Sequence, residues 1–383
     1  MSPVNQAEWR SDVCLVSHAI AHGVSAKYAN SKDSHLVVWH RFCHDSGLNP
    51  DLSDVSDKVP YLQVFAQRWQ DGRLAPRGKP VTSKYVSDIV RSVGQAFKRM
   101  GAPDPRLDSS GKIDFRLQRQ SRFWSKLDDP PDRVKPIPIT MVMYLLRLAY
   151  DDNPIVPAEQ AFADTICIAF FFLLRPGEYT GTSDDDTAFL LSDIRLFIGA
   201  RRNCLASASD RELEAASAVK LHFTTQKNQR RGDIISHGRS HHALCCPVRA
   251  TVRCILRHRA WFRRKGLAYD ETVVFASYYY RDRRIRIRAI DVTKQLRFAA
   301  THCFHATGIA PNDISARSLR AGGAMALLCG NIDSDTIKLV GRWASDAMMR
   351  YLHQEAQPIM KRLAVTMLAR GDYSFLPTNL ATA

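Results

Sequence analysis

Apolar positions in the first third of the chain recur at helical spacing. In SKDSHLVVWHRFCHDSG, residues 31 to 47, Leu36, Trp39, Phe42 and Cys43 share one face, and the pattern stops at Gly47. TSKYVSDIVRSVGQAFKRMG repeats it through Val86, Ile89, Val90, Val93, Phe97 and Met100, with Thr82 or Ser83 able to cap the start and Gly101 the end. These segments predict a helical domain over residues 1–125. A polar stretch containing Pro130, Pro131, Pro136 and Pro138 follows; it suits neither helix nor sheet and predicts a linker over 126–138.

Residues 139–383 mix two periods. Thr140 can cap a helix through MVMYLLRLAY, and a second helix is expected from Pro157 into the apolar run ICIAFFFLL, with Arg175 leaving its end where Pro176 and Gly177 stop it. Strand-like segments come next: AFLLSDIRLFIG, and then VKLHFTTQ, in which Val219, Leu221 and Phe223 alternate with Lys220, His222 and Thr224. KNQRRGD turns the chain into IISH, so that Lys227, Arg230 and Arg231 gather where a hairpin reverses. From Pro247 to Lys265 a helix is predicted with Arg249, Arg253 and Arg257 at spacings of four and Val248, Val252 and Ile255 on another side. Helices follow from about Ser315 to Gly330, from Asp333 to Gly341, and from Ser345 onward. The fold class predicted is mainly α with a small β-sheet or hairpin, an α+β arrangement.

Composition narrows the partner. Lys plus Arg number 54 against 38 Asp plus Glu, a formal net charge of +16, which favours a polyanion. The run at 166 to 174 falls short of the roughly 20 residues a bilayer span needs, so no membrane partner is expected. MSPVNQAEWRSDVCLVSHAIAHG lacks the pattern of a secretory signal, which predicts an intracellular protein. Nine cysteines without a C-x-x-C pair predict reduced thiols. Neither HCFH at 302 to 305 nor Cys245 with Cys246 has a second ligand pair at finger spacing, and no metal or cofactor is expected. In SARSLRAGG, Arg317 and Arg320 stand three apart beside two glycines. On a helix that spacing turns both guanidinium groups to one side, and the glycines leave room for another chain or a polymer. An anion is the natural ligand.

Arg175, Lys227, Arg317, Arg320, Trp343 and Tyr351, in that order and in the contexts LLRPGEY, FTTQKNQRRGDIISH, SLRAGGA and GRWASDAMMRYLH, resemble the active site of the tyrosine recombinases, the integrase family of DNA strand-exchange enzymes. The motifs are most similar to recombinases of eukaryotic Crypton and DIRS-like mobile elements. The resemblance implies a helical core-binding domain ahead of a mixed catalytic domain, double-stranded DNA as substrate, a homo-tetramer on two DNA sites, and a nuclear location in a eukaryotic host. It further implies Tyr351 as nucleophile, Lys227 as general acid, and Arg175 and Arg320 as the catalytic arginines. Glu178 would brace the site, and Trp343 would stand where the family has His or Trp. Arg230, Arg231, Arg249, Arg253 and Arg257 are then expected to contact phosphates.

Such chemistry breaks a phosphodiester without metal or ATP. Attack by a phenol oxygen leaves a 3′-phosphotyrosyl ester that stores the bond for rejoining, while planar guanidinium forks neutralise the phosphate as charge builds. Two departures stand out. Arg317 occupies the position where the family usually has histidine, and arginine stays charged and cannot accept a proton. Tyr351 also follows Trp343 by eight positions, one fewer than in many bacterial and phage members. Arg317 keeps a second expectation alive, a domesticated or decayed relative that binds DNA without cutting it. A type IB topoisomerase would share the chemistry but not the separate helical first domain.

Overall fold

The computed structural model describes residues 3–23, 26–129, 134–151, 156–180, 188–224, 232–343 and 345. They form two compact units, residues 1–131 and 132–383.

The first unit is helical: α1 (Pro3–His22), α2 (Ala26–Asp45), α3 (Val59–Gln70), α4 (Ser83–Arg99) and α5 (Phe115–Leu127). Its core gathers the expected faces of α2 and α4 except for Leu36, which is half-buried outside it, and Met100. Trp39 and Phe42 pack with Phe65 and Trp69 of α3, with Val86, Ile89, Val93 and Phe97, and with Trp124 of α5. Met100 is exposed, because α4 ends one residue before it. Thr82 is the cap: its hydroxyl accepts from the backbone N–H of Tyr85, and Gly101 turns left-handed beyond the helix end. Lys126 and Leu127 still belong to α5, and the Asp128 carboxylate accepts from the backbone N–H and the hydroxyl of Ser83. The helical unit therefore reaches into the stretch predicted as linker; Pro130 and Pro131 lie outside the described residues.

The second unit begins with α6 (Ile139–Asp151) and α7 (Pro157–Phe171), and the short α8 (Pro176–Tyr179) comes next. Thr140 lies inside the first turn of α6 and not at its cap. A four-stranded antiparallel sheet is built from β1 (Ile194–Ile198), β2 (Arg201–Asn203), β3 (Ala218–Phe223) and β4 (Asp233–Gly238), in the order β2-β1-β3-β4, with α9 (Asp210–Glu214) between β2 and β3. In β3 the alternation places Val219, Leu221 and Phe223 inside, as the period of two requires. Next come α10 (Pro247–Lys265), a separate hairpin of β5 (Ser277–Tyr280) and β6 (Arg283–Arg286), α11 (Ala289–Thr307), α12 (Ser318–Cys329) and α13 (Ser334–Gly341). Pro247 opens α10 and left-handed Gly266 closes it. None of the described helices is long and apolar enough to cross a membrane.

Buried charge ties α10 to the core. Asp164 of α7 is fully buried; it accepts from Arg253 Nε at 2.8 Å, from Arg257 at 2.6 Å and from the Tyr150 hydroxyl at 2.6 Å. Arg253 also lies over the Tyr150 ring, 4.5 Å from its centroid. The expected basic face of α10 is therefore divided. Arg253 and Arg257 turn inward, because Asp164 needs partners away from water, and Arg249 is the one of the three that is exposed.

His258, one residue on, is also buried. Its Nε2 hydrogen bonds to the Phe275 carbonyl at 2.9 Å and the Tyr279 hydroxyl donates to Nδ1 at 2.6 Å, an arrangement that suits the neutral ring. Burial pushes its pKa down to about 4, with Arg257 and Arg284 adding in the same direction against the Phe275 carbonyl. Between that value and the unfolded pKa near 6.5, the unfolded chain binds a proton that the folded chain lacks. Stability is thus complete above about pH 6.5 and falls as pH drops toward 4, by about 3 kcal/mol from this group. Urea unfolding at a series of pH values should show the loss, and His258→Gln should flatten it; an unchanged slope would show that His258 is not the titrating group.

Candidate active site at the end of helix α7

The site begins where α7 runs out. Phe172 ends the helix and Leu173 takes a left-handed φ of 50°, which frees its carbonyl from the helical ladder and reverses the chain. Arg175 then stands as the residue before α8, with Pro176 in the first turn. Pro176 thus starts a helix and does not stop one, because a missing N–H costs nothing in a first turn. Glu178, three residues on, folds back: one carboxylate oxygen accepts from the Arg175 backbone N–H at 2.7 Å and the other from its guanidinium at 2.8 Å.

The same carboxylate holds a residue that sequence analysis passed over. Arg342 donates to Glu178 at 2.8 Å, to the Phe172 carbonyl at 3.2 Å, and stacks 3.8 Å above the Phe223 ring of β3. Its own backbone is left-handed at φ 57°, at the end of α13. Burial holds its pKa down to about 10; Glu178 pulls upward against this and the neighbouring Arg175 pushes downward. The available signal was position: an arginine between Gly341 and Trp343, directly after a helix end.

Arg320 reaches the same place from α12. It donates to the Leu173 carbonyl at 2.6 Å and to the Gly341 carbonyl, and its guanidinium lies 4.1 Å from the centroid of the Trp343 ring. Arg320 is 3% exposed, whereas Arg317, at the mouth of α12, is exposed. The two do not share one side as their spacing suggested. Arg317 precedes the first helical turn, and α12 is pressed so closely on α7 that Arg320 points into the protein.

The glycines explain that pressure. A Cβ on Gly322 would come within 2.3 Å of the Ile137 carbonyl oxygen, and one on Gly323 within 2.3 Å of the Phe170 carbonyl oxygen. The chain that comes close is this protein's own backbone, not a ligand. Gly341 is required in the same way, since a Cβ there would overlap the Trp343 ring. Tyr179 completes the frame by donating its hydroxyl to the Ala316 carbonyl at 3.1 Å, just ahead of Arg317.

Arg175, Arg317, Arg320, Trp343 and Glu178 are thus all placed on the segments that meet at the end of α7. Lys227, Arg230, Arg231 and Tyr351 lie outside the described residues. Beside the cluster a cleft of about 570 Å³ opens between β4 and α13, lined by Asp233, Ser236, Lys338, Leu339, Arg342 and Trp343. No group of His, Cys, Asp and Glu able to hold a metal ion occurs among the described residues.

Solved structures share this architecture. The Tn1549 transposon integrase, in complex with transposon right-end DNA, is 13% identical with a TM-score of 0.51, over 93% of this chain and 98% of that one. The same integrase with circular-intermediate DNA is 15% identical with a TM-score of 0.50, over 91% and 96%. The chain has an integrase fold. No family model matches it, and no curated protein matches it in sequence. On the integrase fold, the arginine cluster joins α7, α8, α12 and α13 through one carboxylate and the carbonyls of Phe172, Leu173 and Gly341.

Removing that carboxylate should be costly. Glu178 and Arg342 are both buried, at 7% and 1% side-chain exposure. Glu178→Ala should lower stability by about 3 kcal/mol or more, since it leaves a buried guanidinium without its counter-charge. Urea unfolding measures this, and a change within about 0.5 kcal/mol, ordinary for a surface residue, would remove Glu178 from the centre of the site.

Proposed function

We propose that this chain is a site-specific tyrosine recombinase of a mobile element, which cuts and rejoins DNA through a 3′-phosphotyrosyl link without metal or ATP. The observation that carries the proposal is the convergence of Arg175, Arg320 and Arg342 on the Leu173 to Glu178 segment of an integrase fold. The similar integrase structures hold DNA, which supports DNA as the partner here.

On this reading Tyr351 attacks the scissile phosphorus, the P–O bond to the 5′ carbon's oxygen breaks, and Lys227 gives that oxygen a proton. Arg175, oriented by Glu178 from both backbone and side chain, donates to a non-bridging oxygen. Arg317 offers a second cation at the open side of the cluster. Arg320 fixes the walls and adds positive charge, which also favours the phenolate of Tyr351. Trp343 covers the Arg320 guanidinium and keeps water from it. The helical first unit and the hairpin residues Arg230 and Arg231 hold the flanking duplex, and four copies on two sites complete strand exchange. A nuclear location follows if the host is eukaryotic.

Covalent trapping tests the proposal. Cells expressing wild type or Tyr351→Phe are lysed in detergent, and DNA that stays attached to the protein is sequenced. Attachment to wild type alone is the expected result. If neither retains DNA while both bind duplex natively, the chain is a DNA-binding relative that does not cut. Arg175→Ala should lower the cleavage rate by about 10²- to 10³-fold with much smaller effect on binding. Arg317→Ala should reduce cleavage and Arg317→His should restore it; equal rates in all three would make Arg317 a bystander.

A further inference from the structure

The stretch SYYYRDRRIRIR, residues 277 to 288, belongs to no part of the site described above. It forms the β5–β6 ribbon, in the register Tyr278 with Ile285, Tyr279 with Arg284 and Tyr280 with Arg283. The two turn residues, Arg281 and Asp282, are both left-handed, at φ 44° and 63°. That is the geometry of a tight hairpin turn that favours Asn-Gly, and holding an arginine and an aspartate there costs about 1 kcal/mol or more each. The strained tip carries charge outward.

Each face of the ribbon is anchored by one tyrosine, since neighbouring strand residues point to opposite sides. Tyr279 stacks on Trp261 of α10 at 4.8 Å and bonds to His258, while Tyr278 packs against Phe162 of α7. Arg281, Arg283 and Arg284 are exposed, and Arg281 lies over the exposed Tyr280 ring at 5.3 Å. Among the described residues no ion pair joins a carboxylate to Arg281 or Arg283, while Arg284 is near enough to Asp270 to help hold its pKa down, behind the hydrogen bonds from Thr272. The last turn of α10 brings Arg264 and Lys265 to the same tip, where both pair with Asp282, at 3.6 and 3.1 Å. From residue 263 to 288 basic residues outnumber acidic ones eight to three.

We infer that the β5–β6 ribbon and the last turn of α10 form a second contact surface for duplex DNA, separate from the arginine cluster at the end of α7. The inference rests on the reading of this chain as an enzyme acting on DNA. Phe162, under the ribbon, lies nine residues before the end of α7. At 1.5 Å per residue this sets the ribbon about 14 Å back along the helix from its end. Guanidinium groups on a rigid two-stranded ribbon suit a duplex, whose major groove admits such a ribbon and whose phosphates repeat along both walls. This surface supplies affinity and takes no part in the chemistry.

The test uses the full chain, a fluorescent duplex, and binding measured between about 50 and 200 mM salt. Arg281→Asn, Arg283→Gln and Arg284→Gln are combined in one variant; Asn suits the turn, so folding should be unharmed, and a thermal melt checks it. The slope of log affinity against log salt should fall by up to about 3, near 0.9 for each phosphate that is no longer neutralised, and affinity at the lowest salt should drop by about 10- to 100-fold. The companion Arg281→Lys, Arg283→Lys, Arg284→Lys should keep the slope. An unchanged slope in the neutral variant, with wild type binding well, overturns the ribbon inference and leaves the recombinase reading standing. Wild type that binds no duplex at any salt overturns the recombinase reading itself. Affinity lost for single strands but not for duplex would make the ribbon a single-strand site, contrary to the inference.

Discussion

Everything at the end of α7 depends on how one buried carboxylate is shared. Glu178 accepts from the Arg175 main chain, the Arg175 side chain and the Arg342 side chain at once. A carboxylate out of water needs such partners, and a buried guanidinium needs a counter-charge as much as it needs acceptors. The result is directional. Arg342 is held inside by Glu178, three main-chain carbonyls and the Phe223 ring, whereas Arg175, with 27% of its side chain exposed, keeps a surface that a ligand can reach. One acidic residue thus fixes an inner arginine as structure and presents an outer one for use.

The second constraint is how closely the backbones approach. Arg320 can reach the Leu173 carbonyl because Gly322 and Gly323 let α12 lie against Ile137 and Phe170 with no side chain between them. Leu173 in turn offers that carbonyl because its left-handed backbone breaks the helix there. Any residue with a Cβ at the two glycines would move α12 outward, and with it Arg320, Trp343 and the entry to α13. Close packing and polar geometry are therefore one problem here, solved by residues adjacent in sequence.

Much of this was legible in the sequence, and for identifiable reasons. Amphipathic helices such as α4 and α10 were placed almost to the residue, because period and punctuation agreed: Thr82 and Gly101 bracket one, and Pro247 opens the other. The inward alternation of β3 was equally plain. What escaped depends on partners far away in the chain. Arg253 and Arg257 look like a solvent-facing stripe until Asp164, some 90 residues earlier, is placed beneath them. Arg342 looks like a helix-end charge until Glu178 and Phe223 surround it. The β5–β6 ribbon went unread because its turn, Arg-Asp, lacks the glycine that marks most tight hairpins, and its strands are mostly tyrosine and arginine.

These misses share a cause that bears on any strongly basic chain. Net charge shows that a polyanion is favoured, but not which arginines meet it, because a guanidinium can as well tie helices together as hold a phosphate. The structure separates the two uses by burial and by counter-charge. Arg253, Arg257 and Arg342 are enclosed and each answers a buried carboxylate; breaking those pairs would strand charge in the core. Arg249, Arg317, Arg281 and Arg283 are exposed, and no described carboxylate pairs with them. The long-range field of the protein comes from both sets, yet the enclosed arginines are largely neutralised at short range by their partners. A polyanion approaching this chain therefore meets the second set before the first.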